Sequence, residues 1–350
     1  MSIIDLIRQD LRDMRPYQSA RSLVNDADLF LDANECQGNG KPELCRYPKQ
    51  QPEELIKLAS QYYQCETDQL LATRGSDEGI DLLLRLFVQA YKDKILIFKP
   101  TFGMYEVAAR IQGAGIDVVD TAPDFYVDIN RMRDATTREH KLVFLCSPNN
   151  PTGTTIPKKD IALLCEAMLD KAIVVVDEAY QEFSDKESAV SLVDTYDNLV
   201  VLRTLSKAFG LAGLRVGFMI ASSALINYAR VLLAPYPLPT PSIDNAIDAL
   251  SACSIKDMHV RVDSVKEQRE LMYSTLSQLD CVEKVYQSAG NFLLLKSSLD
   301  LYTHLLRDGI VARRQAIGSD DDNYLRITIS TPEENARVVS SLAEVEVCYD

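Results

Sequence analysis

The sequence predicts an α/β protein with a mostly parallel central sheet flanked by helices and a smaller α+β domain at the C-terminal end. Three observations carry this. Between about 70 and 235, short apolar runs alternate with helical patterns, as in parallel strands joined by crossover helices. The run Ala172-Ile173-Val174-Val175-Val176 is apolar throughout, which is how a strand covered on both faces reads. Beyond four prolines between Ala234 and Pro241, a long helical stretch gives way to several strands in succession. The expected organisation is an arm over 1–45, a large α/β domain over 46–235 and a small α+β domain over 236–350.

The elements follow in order. Ile3 to Met14 is a short amphipathic segment, and Leu29 to Glu35 reads as a brief strand running into polar residues. Pro52 opens a helix over Glu53 to Tyr63. A strand at Leu70 to Thr73 leads through Arg74-Gly75-Ser76-Asp77 into a helix that continues to Tyr91. Lys94 to Phe98 is a strand, and a helix follows through Gln112. Strands are expected at Asp117 to Val119 and Lys141 to Cys146, the second ending in the turn-rich Ser147 to Gly153. Lys158 to Leu169 is helical, and Asn198 to Leu202 is a buried strand ending at Ser206-Lys207.

After the prolines, a long helix from Ile243 to Leu279 is interrupted near Ser254 and reads as one or two helices. Strands then lie near Val282 to Tyr286, Phe292 to Leu295, Ile310 to Arg313 and Tyr324 to Ile329. Asp320-Asp321-Asp322 reads as a solvated hairpin loop. Thr331-Pro332-Glu333-Glu334 is a capping box that starts the last helix.

A formal net charge of −14 argues against nucleic acid and anionic membranes as partners. It also means that a phosphorylated ligand must be held by local arginines and backbone amides. No apolar run reaches the length of a transmembrane helix, and the first residues lack a signal peptide's apolar core. Eight cysteines are scattered without a CxxC pair, which argues for reduced thiols in the cytoplasm and against a zinc site.

In open α/β sheets, ligands bind outside the carboxyl ends of the strands. Gly75, Ser76, Asp77, Phe102, Asn150, Asp177, Tyr180, Ser206 and Lys207 all fall at such ends. Together they supply what a pyridoxal phosphate site requires. A lysine in a tight, partly dry place has the lowered pKa that a Schiff base needs, and Lys207 is the candidate. A carboxylate must keep the pyridine nitrogen protonated, and Asp177 ends the most apolar strand. Asn150 and Tyr180 can serve the phenolic oxygen. The helix start at Gly75-Ser76-Asp77, with Ser206 and Arg215, can hold the phosphate. Phe102 can cover the ring. Against this stand a solvated loop lysine, a structural acid pair, and turn or core roles for the rest.

The motifs SPNNPTG, VVVDEAY, TLSKAFGLAGLRVG and APYPLPTP resemble the fold-type I pyridoxal-phosphate aminotransferases. Within them, RPYQSAR, LDANE, RYP, RGSDEGIDLLLR and PTFGMY resemble the histidinol-phosphate aminotransferase family, over nearly the whole chain. The resemblance implies exchange of an amino group between L-histidinol phosphate and 2-oxoglutarate, a step of histidine biosynthesis. It implies catalytic roles for Lys207, Asp177 and Tyr180, and a homodimer in which Tyr47 of the RYP motif reaches the neighbouring subunit's cofactor phosphate. It also implies that Tyr17 and Asn34 lie close to the substrate and that Arg313 and Arg326 hold the substrate phosphate. Phe102 stands where the family often has tyrosine, and Asp32 where it often has asparagine. Arg314 beside Arg313 leaves open which of the two faces the site. An aromatic amino acid aminotransferase and a pyridoxal-phosphate lyase such as threonine-phosphate decarboxylase share much of the motif set.

Overall fold

The structure, a computed structural model, describes residues 3–15, 17, 29–36, 38, 41, 44–317 and 323–345. The chain starts with two short 3-10 turns, Ile3–Leu6 and Gln9–Leu11, near which Leu6 and Ile7 are buried against the main core. The strand expected over 29–35 does not form; these residues are loop and bend. Asn34 adopts φ +54°, which a strand cannot accommodate. The Glu35 carboxylate instead accepts hydrogen bonds from the Arg46 guanidinium and the Tyr47 amide, fixing the loop by side-chain contacts.

Helix α1 (Glu53–Tyr63) precedes strand β1 (Leu70–Thr73) and helix α2 (Gly75–Phe87). The sequence predicts α2 to run on to Tyr91, but it stops four residues earlier. There the Asp93 carboxylate accepts the Gln89 amide and Tyr91 turns into the left-handed region. Strand β2 (Lys94–Lys99), helix α3 (Met104–Gln112), strand β3 (Gly115–Asp120), helix α4 (Ile129–Ala135) and strand β4 (His140–Cys146) follow. Next come helix α5 (Lys158–Ala167), strands β5 (Ile173–Asp177), β6 (Leu199–Thr204) and β7 (Gly217–Ala221), and helix α6 (Ser223–Leu232).

These seven strands form one sheet in the order β1-β7-β6-β5-β4-β2-β3. The neighbours from β3 to β6 are parallel, while β7 runs antiparallel to both β6 and β1. Because β7 is reversed on both sides, β1 points the same way as β5 and β6. The carboxyl ends of β1, β2, β4, β5 and β6 therefore share one edge. The central strands are buried apart from a partly exposed Lys141 near the start of β4, as a sheet covered by helices on both faces requires.

The long helical stretch is two helices, α7 (Thr240–Ala249) and α8 (Ala252–Leu276). They part at Ser251, whose hydroxyl caps α8 by accepting the Ser254 amide. Strand β8 (Lys284–Tyr286), strand β9 (Phe292–Ser297), helix α9 (Leu301–Arg307), strand β10 (Arg313–Gln315), strand β11 (Asn323–Thr328) and helix α10 (Pro332–Ala343) complete the chain. A second, antiparallel sheet has the order β10-β11-β9-β8 and packs α8, α9 and α10 over its own apolar cluster around Leu276, Leu293, Leu295 and Leu325. The acidic run 320–322 lies outside the described residues. At α10 the Thr331 hydroxyl accepts the Glu334 amide, while the Glu334 carboxylate takes the Ser330 hydroxyl, so half of the expected capping box is present.

Several contacts tie the sheets together. Arg269 of α8 is buried and donates to the carbonyls of Phe183 and Gly290. The Ala289 amide donates to the Gly153 carbonyl, and a Cβ on Gly153 would meet Ser288.

Candidate active site

Along the shared edge lies a cavity of about 480 Å3, walled on its far side by the second sheet. Ser76 and Asp77 reach it from α2, Phe102 from the end of β2, and Asn150 from the loop after β4. Asp177 is the last residue of β5, Tyr180 follows it, and Ser206, Lys207 and Arg215 come from the β6–β7 connection. Arg313 and Arg326 close it from β10 and β11. A larger cavity, about 680 Å3, opens around the Gly153–Ala289 contact and holds none of the predicted site residues.

Asp177 is fully buried. Its carboxylate accepts a hydrogen bond from the Ala179 amide at 3.1 Å and one from the Tyr105 hydroxyl at 2.8 Å. Burial pushes its pKa up to about 6 against the pull of those two donors. Lys207 lies 5.4 Å from the centre of the Tyr180 ring, and burial, helped by the Arg326 charge, lowers its pKa. Asn150 donates to the Tyr180 hydroxyl at 3.2 Å and accepts from Arg326 at 2.6 Å. That amide is where the two sheets meet inside the site.

At the other end, Arg215 takes φ +53° and aims its guanidinium at Ser206 Oγ (3.3 Å) and Asp77 Oδ2 (3.2 Å). A Cβ on Gly75 would lie 2.7 Å from that guanidinium, and one on Gly217 would lie 2.5 to 2.9 Å from the Gly75–Ser76 backbone. Glycine at both positions lets the start of α2 approach the arginine. Behind the site, buried Arg203 of β6 holds Glu178 at 2.8 Å and Glu182 at 2.6 Å. This pairing fixes the strand ends that carry Asp177 and, four residues past Arg203, Lys207.

The β10–β11 register decides between the neighbouring arginines. Arg313 sits opposite Arg326, so both side chains leave one face of the sheet. Arg314 points away and pairs with Asp300 at 2.5 Å. Burial lowers the Arg326 pKa, and its guanidinium stacks 5.5 Å from the Phe292 ring.

Tyr17, Asn34 and Tyr47 do not line this cavity. Tyr17 is exposed; Tyr47 is half-exposed and stacks on Tyr236 with ring centres 4.4 Å apart. Several residues at or behind the site escaped the sequence reading, among them Gln315 in the lining and Tyr105 behind Asp177. Gln315 follows the arginines at two-residue spacing, the strand periodicity that could have found it. Tyr105 lies three residues past Phe102 on α3, and only its helical spacing hinted that it stands beneath that ring.

The model of the aminotransferase class I and II family matches residues 31–342. A histidinol-phosphate aminotransferase of Francisella philomiragia is 40% identical over 347 residues, spanning 99% of this chain and 96% of the relative. One of Xanthomonas campestris is 44% identical over 351 residues, spanning 97% of each. The chain belongs to the histidinol-phosphate aminotransferase family. Among solved structures, a histidinol-phosphate aminotransferase of Sinorhizobium meliloti in complex with pyridoxal-5'-phosphate superposes with a TM-score of 0.80 over 86% of this chain and 83% of that one, at 20% identity. That likeness is one of fold.

Aminotransferases of this class depend on pyridoxal phosphate, and the side chains of this one fit it. An anion cup of hydroxyls, an arginine and a helix start lies at one end of the cavity, against the field of an acidic protein. A buried acid, an amine of lowered pKa and an amide–phenol pair form the rest. Among the described residues, no helix is long and apolar enough to cross a membrane, and no cluster of side chains is suited to a metal ion.

Proposed function

We propose that this aminotransferase moves an amino group between L-histidinol phosphate and 2-oxoglutarate, giving imidazole-acetol phosphate and L-glutamate. The observation that carries the reading is the matched pair Arg313 and Arg326 on one face of the small sheet, opposite Asp177 and Lys207. One substrate ends in a phosphate and the other in a carboxylate. A pair of guanidinium forks accepts either anion.

When bound, pyridoxal phosphate supplies an aldehyde carbon for the amino group and a ring that takes up electron density. The start of α2 at Gly75, Ser76 and Asp77, through backbone amides and the Ser76 hydroxyl, would bind its phosphate together with Ser206 and Arg215. Asp177 would hold a proton at the ring nitrogen. Asn150 and Tyr180 orient the ring edge, and Phe102 excludes water from one face. Lys207 Nζ is the amine that would bond the cofactor's aldehyde carbon and would carry a proton during exchange. Burial and the Arg326 charge lower its pKa, which favours the neutral amine.

The enzyme works as a cytoplasmic homodimer in this reading. Tyr47 serves the neighbouring subunit's site, and Tyr17 and Asn34 approach the substrate. Support comes from Tyr47 lying outside its own chain's cavity and from seven described cysteines that are all free thiols. The arm 1–45, the large unit 46–235 and the small unit 236–350 divide the work between assembly, cofactor and substrate.

A half-reaction screen tests the reading. Purified holoenzyme is mixed with histidinol phosphate, tyrosine, phenylalanine or threonine phosphate, and loss of the cofactor's visible band is followed. Histidinol phosphate should react with the highest kcat/KM. A faster aromatic donor, or release of carbon dioxide from threonine phosphate, would replace it with one of the competing readings.

A further inference from the structure

We propose that Tyr105 is a positioning residue for Asp177, its buried hydroxyl holding that carboxylate in one orientation and in its ionised form. The inference rests on the reading that Asp177 serves the cofactor's ring nitrogen. Tyr105 is fully buried on α3, 72 residues before Asp177, and donates to Oδ2 at 2.8 Å. Its ring is stacked on Phe144 of β4, with centres 4.8 Å apart and 14° between planes. The same ring meets Phe102 edge-on at 5.6 Å. A single rigid tyrosine thus touches both the acid and the aromatic wall of the site.

The chemistry has one direction. Burial keeps the Tyr105 phenol protonated, its pKa well above the usual value, so it can only donate to a carboxylate. The donation stabilises the anion against desolvation. The other groups around Asp177 are Cys146 at the end of β4, Tyr180 beyond β5, Asp77 from α2 and Lys207 beyond β6. The first three are neutral or repulsive toward a carboxylate, and Lys207 attracts it through charge without donating a hydrogen bond to it. With the cofactor absent, the fixed donors to the anion are therefore Tyr105 and the Ala179 amide.

Tyr105→Phe keeps the ring and its stack and removes only the hydroxyl. In the holoenzyme it should lower kcat by about tenfold to a hundredfold and leave KM within about threefold, the scale of a lost hydrogen bond to a charged group. Pyridoxamine 5'-phosphate, which forms no covalent bond to lysine, is the probe for the apoprotein. Its affinity for Tyr105→Phe, measured by calorimetry, should match wild type at about pH 9 and fall steadily further behind as pH drops to about 6, because the unsupported acid holds its proton to higher pH. In an Asp177→Asn background the same change should add nothing to either readout. Wild-type turnover and binding in Tyr105→Phe, beside a crippled Asp177→Asn, would overturn the role of Tyr105 alone. A loss that is equal at every pH and additive to Asp177→Asn would make Tyr105 a packing residue and overturn it as well. Unimpaired Asp177→Asn would remove the Asp177 reading and this one with it.

Discussion

At Asp177 folding and function pull in opposite directions. The carboxylate is buried at the end of β5, and its pKa rises from 3.8 to about 6 because water is excluded. The folded state therefore holds the proton more tightly than the unfolded chain does. For such a group the stability contribution is most favourable at low pH and is lost as pH rises through the interval from about 4 to about 6. Above that interval the apoprotein carries a buried anion at a cost of about 3 kcal/mol. Asp177→Asn removes the charge and keeps the hydrogen-bonding shape. Its apoprotein should unfold at a higher denaturant midpoint than wild type at pH 8, with the gap closing toward pH 5, while turnover collapses. Equal midpoints at pH 8 would show that the buried anion is better compensated than its two donors suggest. Asp177 and Lys207 were legible as residues because each follows an apolar run that leaves little doubt of a strand end. Tyr105 was not, because a buried tyrosine in a helix has the sequence pattern of any core aromatic, and the partner of its hydroxyl comes from another strand.

At the scale of elements, the hairpin of β10 and β11 shows what register adds to composition. The sequence shows that adjacent arginines on a strand leave opposite faces, without showing which faces the cavity. Pairing Arg313 with Arg326 decides it, and sends Arg314 to Asp300 and the Tyr302 ring. Arg326→Ala should weaken both half-reactions by about a hundredfold or more, since it removes a partly desolvated charge that meets an anionic substrate. Arg313→Ala should damage the reaction with histidinol phosphate at least as much as that with glutamate. Arg314→Ala should leave both unchanged, because an exposed ion pair is worth little. Steady damage from Arg314→Ala with none from Arg313→Ala would mean that the register differs in the working enzyme. Elsewhere the sequence located most strands and helices to within a few residues, because buried parallel strands are continuous apolar runs. It failed at 29–35, where a short apolar run leads into polar residues but the backbone is held by Glu35, Arg46 and Tyr47 through contacts no periodicity encodes.

At the scale of the whole molecule, one chain supplies a cavity that holds most of the expected machinery and leaves part of it outside. Tyr47 lies on the surface, half-exposed and stacked on Tyr236, while Leu29, Leu31, Met104, Val107 and Ile111 also present apolar side chains to solvent. Met104 and Val107 line the rim of the cavity itself, so the exposed apolar surface reaches the mouth of the site. A second copy seated there would cover these side chains and could carry Tyr47 to its neighbour's phosphate cup. In the proposed homodimer, closed two-fold pairing would make this reciprocal, each subunit giving one tyrosine and receiving one. Subunits carrying Tyr47→Phe keep Lys207, and subunits carrying Lys207→Ala keep Tyr47. In a mixed dimer one site has both residues and the other has neither. Equal, fully exchanged mixtures should therefore recover about a quarter of wild-type activity, half of the dimers being mixed and half of their sites intact. Each parent alone should remain impaired. Native mass spectrometry confirms that mixed dimers form. Mixed dimers with no activity above the average of the parents would place Tyr47 at its own subunit's site or at none.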